Sequence, residues 1–297
     1  MVMSRRRFVT LPMGALALSP AFARGADVPL LTRAIPSTGE RLPAVGVGTA
    51  WVYDRDESET RRRATAVVEA LAGGGGRLID TASTYGDAET VLGAVLAETK
   101  LRDRVFLATK VESPDVGEFR RSLARLRVPS VDLLQLHNVR DTRQSLARFR
   151  EWKAQGLCRY IGITSTYHND FAAVEAVLKR EKPDFVQIDY SIDNRLAEER
   201  ILPLAAEVRA GVLTALPLGR ARLLTAVRGK PVPEWAQEFA ASWAQFFLKF
   251  LLADERVTAV IPGTSNSEHM ADNLGAMRGR LPTPEERKRM VEFAATL

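Results

Sequence analysis

One feature constrains the fold of this 297-residue chain most: an alternation of short apolar runs with longer amphipathic segments, from about Pro43 to Pro262. Eight apolar runs of four to six residues lie at 44–48, 78–81, 105–109, 131–136, 160–163, 185–188, 212–215 and 258–261. Between them, segments at 59–72, 88–98, 117–125, 142–155, 169–179, 197–208 and 237–252 place apolar residues at three-to-four spacing and charge on the opposite face, which is the helical signature. Strands buried on both faces and joined by helices form a parallel sheet. Eight such units over roughly 250 residues match the length at which the sheet closes, whereas an open doubly wound sheet of that size has fewer strands. The expected fold is α/β, a (β/α)8 TIM barrel.

Material outside the eight units has its own signals. Residues 30–42 hold Ser37-Thr38-Gly39-Glu40, a turn between two extended pieces, so an N-terminal β-hairpin is expected to plug the barrel bottom. Residues 231–238 and 283–297 add C-terminal helical segments, the last opening on Thr283 as N-cap with Pro284 at the first helical position, where proline is favoured.

Residues 1–23 are set apart. Ser4-Arg5-Arg6-Arg7-Phe8 precedes an apolar stretch from Leu11 to Phe22 that ends in Ala21-Phe22-Ala23. Paired arginines, a short apolar core and a small-residue cleavage site are the marks of a twin-arginine signal peptide. The expectation is export through the twin-arginine machinery to the periplasm, a single domain over 24–297, and no stable membrane span in the mature form. The net charge of +6 is carried in part by this segment. No run of five or six Lys or Arg remains beyond it, which excludes a nucleic-acid partner of the electrostatic kind. The one cysteine, Cys158, excludes an internal disulfide and any cysteine-cluster zinc site.

Two glycine-rich stretches invite a phosphate-loop reading and fail it. Gly73-Gly74-Gly75-Gly76 follows a helix and precedes a strand, the reverse of a phosphate loop, and reads as a helix C-cap and turn. Gly46-Val47-Gly48-Thr49 leaves a strand but lacks the third glycine and the helix of a dinucleotide fingerprint. Close backbone packing at the barrel mouth accounts for it.

In this architecture chemistry sits at the C-terminal ends of the strands. The second apolar run delivers Asp80, with Tyr85 five residues later; the third is followed by Lys110 and the fourth by His137. Each alone has a bland role as cap, packed ring or solvated group. Together, an acid, a lysine and a histidine ending three successive strands converge on one mouth. A lone tyrosine, with pKa about 10, is a poor acid at neutral pH, and a neighbouring ammonium favours its phenolate. Lys110 is the candidate ammonium, Asp80 its orienting partner, and His137 a hydrogen-bond partner for a carbonyl oxygen.

Three segments carry a specific resemblance: Leu78-Ile79-Asp80-Thr81-Ala82 with Tyr85-Gly86, Glu89 and Leu92-Gly93; Phe106-Leu107-Ala108-Thr109-Lys110; and Val131-Asp132-Leu133-Leu134-Gln135-Leu136-His137-Asn138. They resemble the aldo-keto reductase family over about residues 30 to 280. The resemblance implies carbonyl reduction with Tyr85 as general acid, Lys110 and Asp80 as its tuning pair, His137 as orienter, and hydride from NADP(H), with NAD(H) as the other coenzyme. It implies cofactor contacts from Thr164, Ser165, Gln187, Leu218, Arg220, Gly263, Thr264, His269, Asp272 and Asn273, and a pocket for a small-molecule carbonyl substrate near Trp51, Tyr53 and Asn138. The family usually has asparagine where Ser165 stands and a nicotinamide-stacking aromatic where Ala215 stands. Many members carry Lys or Arg where Gly263 and His269 stand, so Arg220 or Arg222 is expected to compensate.

A second reading keeps the barrel and the cofactor as a non-catalytic redox sensor or partner subunit. A hydrolase with paired carboxylates needs a second acid at a strand end, for which Asp189 is nearest. A metal site is not expected, since His137, His168 and His269 lie on separate segments.

Overall fold

The computed structural model describes residues 29–139 and 142–297; residues 1–23, expected to be a signal peptide, lie outside them. The described residues open on an antiparallel hairpin of β1 (Thr32–Ala34) and β2 (Arg41–Pro43), paired Thr32 to Pro43. Eight parallel strands follow in sequence order: β3 (Val47–Gly48), β4 (Leu78–Asp80), β5 (Phe106–Val111), β6 (Val131–Leu136), β7 (Cys158–Ser165), β8 (Phe185–Asp189), β9 (Gly211–Ala215) and β10 (Ala259–Val260). Among the described residues ten α-helices surround or follow them: α1 (Ser58–Gly73), α2 (Ala88–Thr99), α3 (Val116–Leu126), α4 (Thr142–Ala154), α5 (Phe171–Glu181), α6 (Leu196–Glu207), α7 (Arg222–Ala226), α8 (Trp243–Leu252), α9 (Ser267–Gly275) and α10 (Pro284–Ala294).

The sheet closes where the first and last strands meet, through bridges Val45 to Val260 and Gly48 to Gly263. The Gly46 N–H donates to the Val260 carbonyl at 2.9 Å, and the Val260 N–H to Ala44 at 2.9 Å. On the other side, a Cβ on Gly46 would fall 2.7 Å from Leu78 Cβ, so only glycine lets the chain entering β3 lie this close to β4.

The period-two alternation of strand side chains separates two cores. Outward residues such as Ile79, Leu107, Leu134, Ile161, Val186 and Val212 pack under the helices. Inward residues Leu78, Phe106, Leu133, Tyr160, Phe185, Leu213 and Ala259 fill the lumen, together with Ile35 and Leu42 from the hairpin. Tyr160 stands edge-on to Phe185 at 5.6 Å, and its hydroxyl meets Glu40 at 2.7 Å and Thr38 at 2.9 Å. The hairpin thus seals the barrel bottom, as its turn residues suggested, and leaves the other end open.

Several helices differ from the sequence expectation. The segment at 231–238 is only a single 3-10 turn, Glu234–Ala236. α8 starts at Trp243, six residues later than expected, because Ser242 caps it by accepting from the Gln245 N–H. α1 ends at Gly73, and Gly75 takes φ +88 in the turn behind it, the C-cap role expected of the four glycines.

Candidate active site

Alternation that buries the aromatic plug also raises the site above it. On β4, Leu78 faces the lumen, so Asp80 does too; on β5, Phe106 and Ala108 put Lys110 on the same side. By the same rule β6 carries Leu133 and then Gln135, and β8 carries Phe185 and then Gln187. All four polar side chains are buried: Asp80 2%, Lys110 1%, Gln135 0% and Gln187 4% exposed.

Lys110 Nζ donates to Asp80 Oδ2 at 2.6 Å and to the Thr81 carbonyl at 2.8 Å. Burial opposes the lysine charge, but the Asp80 carboxylate and the Tyr85 hydroxyl outweigh it and hold the ammonium above the ordinary lysine range. Nζ lies 4.8 Å from the centre of the Tyr85 ring. Tyr85 reaches this place from a tight loop after β4, in which its N–H donates to the Ala82 carbonyl at 3.2 Å. The next residue, Gly86, takes φ +53, and a Cβ there would strike the Asp54 carbonyl at 2.4 Å. His137 leaves β6 in a 3-10 turn, His137–Val139, in which Asn138 is left-handed at φ 65. Its ring stands edge-on to Tyr85 at 5.7 Å, with Nδ1 3.3 Å from Thr84 Oγ1. Tyrosine hydroxyl, buried ammonium and imidazole therefore meet at one point of the mouth, an arrangement able to deliver or take a proton at a carbonyl oxygen.

These groups line a cavity of about 460 Å³ at the open end of the barrel, together with Trp51, Asn138, Thr164, Leu218, Arg220 and Gly263. Ala215 also lines it from the top of β9. Arg220 lies 5.0 Å over the Trp51 ring, joining the loop after β9 to the loop after β3. Arg222 is instead paired with Asp193 at 2.5 Å, so Arg220 supplies the cation at the cavity wall.

Other expected residues are placed elsewhere. Tyr53 is fully buried, 3.3 Å from the Thr264 carbonyl, and does not border the cavity. Ser165 is turned away: its hydroxyl donates to Asp170 at 2.7 Å and accepts from the Tyr167 N–H at 3.1 Å. Both Asp272 oxygens are taken by α8, one by Ser242 at 2.6 Å and one by Gln245 at 2.7 Å. Thr264 accepts from the Asn266 N–H, and Asn266 in turn caps α9 at Glu268 and His269. His269 is exposed on the first turn of α9 and Asn273 is buried, both outside the cavity. Asp189, the second acid a hydrolase would need, is not at the cavity wall. Among the described residues no group of three or more His, Cys, Asp or Glu is placed to hold a metal ion, and no helix is long and apolar enough to cross a membrane.

Two residues were overlooked in the sequence. Tyr167 borders the cavity, 56% exposed, and nothing in its loop marked it. Gln135 lies in the buried polar layer; its place two residues before His137 on a strand was the available signal.

The fold agrees with three comparisons. The model of the Aldo/keto reductase family matches residues 44–294. The methylglyoxal reductase YeaE of Escherichia coli is 30% identical over 256 residues, 82% of this chain and 88% of that protein. An aldo-keto reductase of Mycolicibacterium smegmatis is 29% identical over 286 residues, 90% of this chain and 92% of its own length. The crystal structure of an aldo/keto reductase from Klebsiella pneumoniae in complex with NADP and acetate superposes with a TM-score of 0.76 at 24% identity, covering 88% of this chain and 95% of that one, a likeness of fold. The chain belongs to the aldo/keto reductase family.

Proposed function

We propose that the protein is an NADP(H)-dependent oxidoreductase that reduces an aldehyde or ketone to an alcohol, with the proton coming from Tyr85. One observation carries this reading: the Asp80–Lys110 ion pair forms the floor of the cavity, with Tyr85 and His137 beside it in its wall. The cavity suits the coenzyme. Gln187 and Thr164 place an amide and a hydroxyl near the reacting groups, Gly263 leaves one wall without a side chain, and Arg220 adds a cation suited to phosphate. Bound there, NADPH supplies a hydride.

Tyr85 gives its hydroxyl proton to the carbonyl oxygen as the carbonyl carbon takes the hydride, and the phenolate is reprotonated from solvent. Lys110, kept charged by Asp80, stabilises that phenolate. His137 donates a hydrogen bond to the carbonyl oxygen and holds it within reach of Tyr85. The named activity of the Escherichia coli relative, methylglyoxal reduction, supports small aldehydes as the first substrates to try.

The test is NADPH consumption by the purified protein with methylglyoxal and simple aldehydes, together with titration of both coenzymes. Turnover with NADPH and tighter binding of NADPH than of NADH are expected. Coenzyme binding without turnover of any carbonyl would favour the sensor or partner-subunit reading, which the ring-free Ala215 wall supports. Export by the twin-arginine route rests on Arg5, Arg6 and Phe8. Replacing both arginines by lysine should keep the precursor in the cytoplasm, and normal delivery to the periplasm would refute it.

A further inference from the structure

A side chain that never reaches the cavity ties the reacting groups to the coenzyme side of the site. Gln135 Nε2 lies 3.3 Å from Asp80 Oδ1 and 2.9 Å from Gln187 Oε1. Gln187 closes the ring by donating from its own Nε2 to Asp80 Oδ2 at 3.3 Å, the oxygen that also holds Lys110. An amide nitrogen has two hydrogens, and Gln135 uses one for each acceptor. The opposite amide orientation would set its oxygen against two other oxygens, so the ring defines the direction of both amides. Gln135 Oε1 is buried and finds no hydrogen-bond partner among the described residues. An orphaned carbonyl is a cost, and it is tolerated here in exchange for the two donated bonds.

The reach of Gln135 needs a gap in the neighbouring strand. In register it stands between Lys110 on β5 and Gly162 on β7, and Gln187 lies beyond β7 on β8. A Cβ on Gly162 would come within 3.1 Å of Gln135 Cγ and 3.0 Å of the Phe185 carbonyl. Glycine thus opens the corridor through which a β6 side chain touches one on β8.

We propose that Gln135 is a positioning residue: its amide holds Asp80 beneath Lys110 and sets the direction in which Gln187 presents its amide to the cavity. The coenzyme half of this statement rests on the proposed NADP(H) reading; the Asp80 half does not. Lys110 is the charged group facing Asp80, and the β6 and β8 neighbours are the neutral amides of Gln135 and Gln187.

Two variants test it. Gln135→Met removes both donors at similar length. Gln135→Glu keeps the shape, so it controls for packing, and places a second acid against Asp80. The first readout needs no substrate: the pH titration of the Asp80 carboxyl carbon in aspartate-labelled protein, assigned with Asp80→Asn. Loss of a donor to the carboxylate should raise its midpoint, by about half a unit or more in Gln135→Met and by more in Gln135→Glu, where two carboxyls share a proton. The second readout is NADPH affinity, expected to weaken about 3- to 10-fold, the usual effect of one misplaced hydrogen bond. If both variants fold and either the Asp80 midpoint or the NADPH Kd stays at the wild-type value, the assignment falls. If the wild type binds NADPH but reduces no carbonyl while both readouts move, the catalytic reading falls and Gln135 keeps its role.

Discussion

Lys110 is a cation at 1% exposure, and burial of this kind is tolerated only with a well-placed counter-charge. Removing one member of such a pair costs about 3–5 kcal/mol, whereas replacing both by neutral groups is often nearly neutral. Lys110→Met should therefore destabilise strongly and leave Asp80 alone in the lumen, where burial already raises its pKa. An acid with a raised folded pKa contributes stability below its unfolded value, near 4, and loses it as pH rises through the folded value. The variant should then be weakest at neutral pH and recover toward pH 4, as urea melts would show, and Asp80→Asn/Lys110→Met should restore most of the loss at neutral pH. Equal stability of the single and double variants would contradict this. Asp80, Lys110 and His137 were legible in the sequence because each ends an apolar strand, and strand ends have one destination in a barrel. Ser165 and Tyr53 were not, because local partners decided them: Asp170 and Tyr167 capture the Ser165 hydroxyl, and Tyr53 turns into the core toward the Thr264 carbonyl.

Among the elements, α8 carries the other buried lysine. Lys249 Nζ donates to the carbonyls of Arg278 at 2.5 Å and Arg280 at 2.9 Å, tying α8 to the chain after α9. Burial, with Arg280 adding to it, pushes the Lys249 pKa down to about 8. Between that value and the unfolded one, near 10.4, the unfolded chain holds more protons, so stability rises with pH across this window. Lys249→Met should lack that rise, and urea midpoints at several pH values between about 8 and 10 would show a flatter slope than the wild type. Parallel slopes would show that Lys249 keeps its charge throughout. At this scale periodicity located the strands, the hairpin and the C-terminal helix with its Thr283 cap. It overextended α8, because the aromatic run through Phe239 continues the apolar pattern while Ser242 provides the actual start. Neither α7 nor α9 was expected as a helix: α7 has only five residues, and α9 lies in a stretch read for cofactor contacts.

Across the whole molecule, one alternation does two jobs. The inward residues of the strands close the lower lumen with Phe106, Tyr160 and Phe185, and further along the same faces they set Lys110, four residues after Phe106, and Gln187, two after Phe185, above that plug. The plug keeps water from below, so the ion pair acts in a low-dielectric floor where its charges are weakly screened. The barrel and the placing of Asp80, Lys110 and His137 at one cavity were therefore readable together, since both follow from strand order and period. At the mouth, Trp51, Asn138 and Arg220 were expected and do line the cavity; Tyr167 was not, because the course of these loops depends on contacts such as the Arg220–Trp51 stack and the Arg222–Asp193 pair. The central claim is that Tyr85 delivers the proton in an NADPH-dependent carbonyl reduction. The direct measurement compares wild type with Tyr85→Phe for NADPH-dependent aldehyde turnover, alongside NADPH affinity by fluorescence quenching. The expected result is a fall in kcat of about 10²-fold or more with coenzyme affinity unchanged; turnover near the wild-type rate in Tyr85→Phe would contradict it.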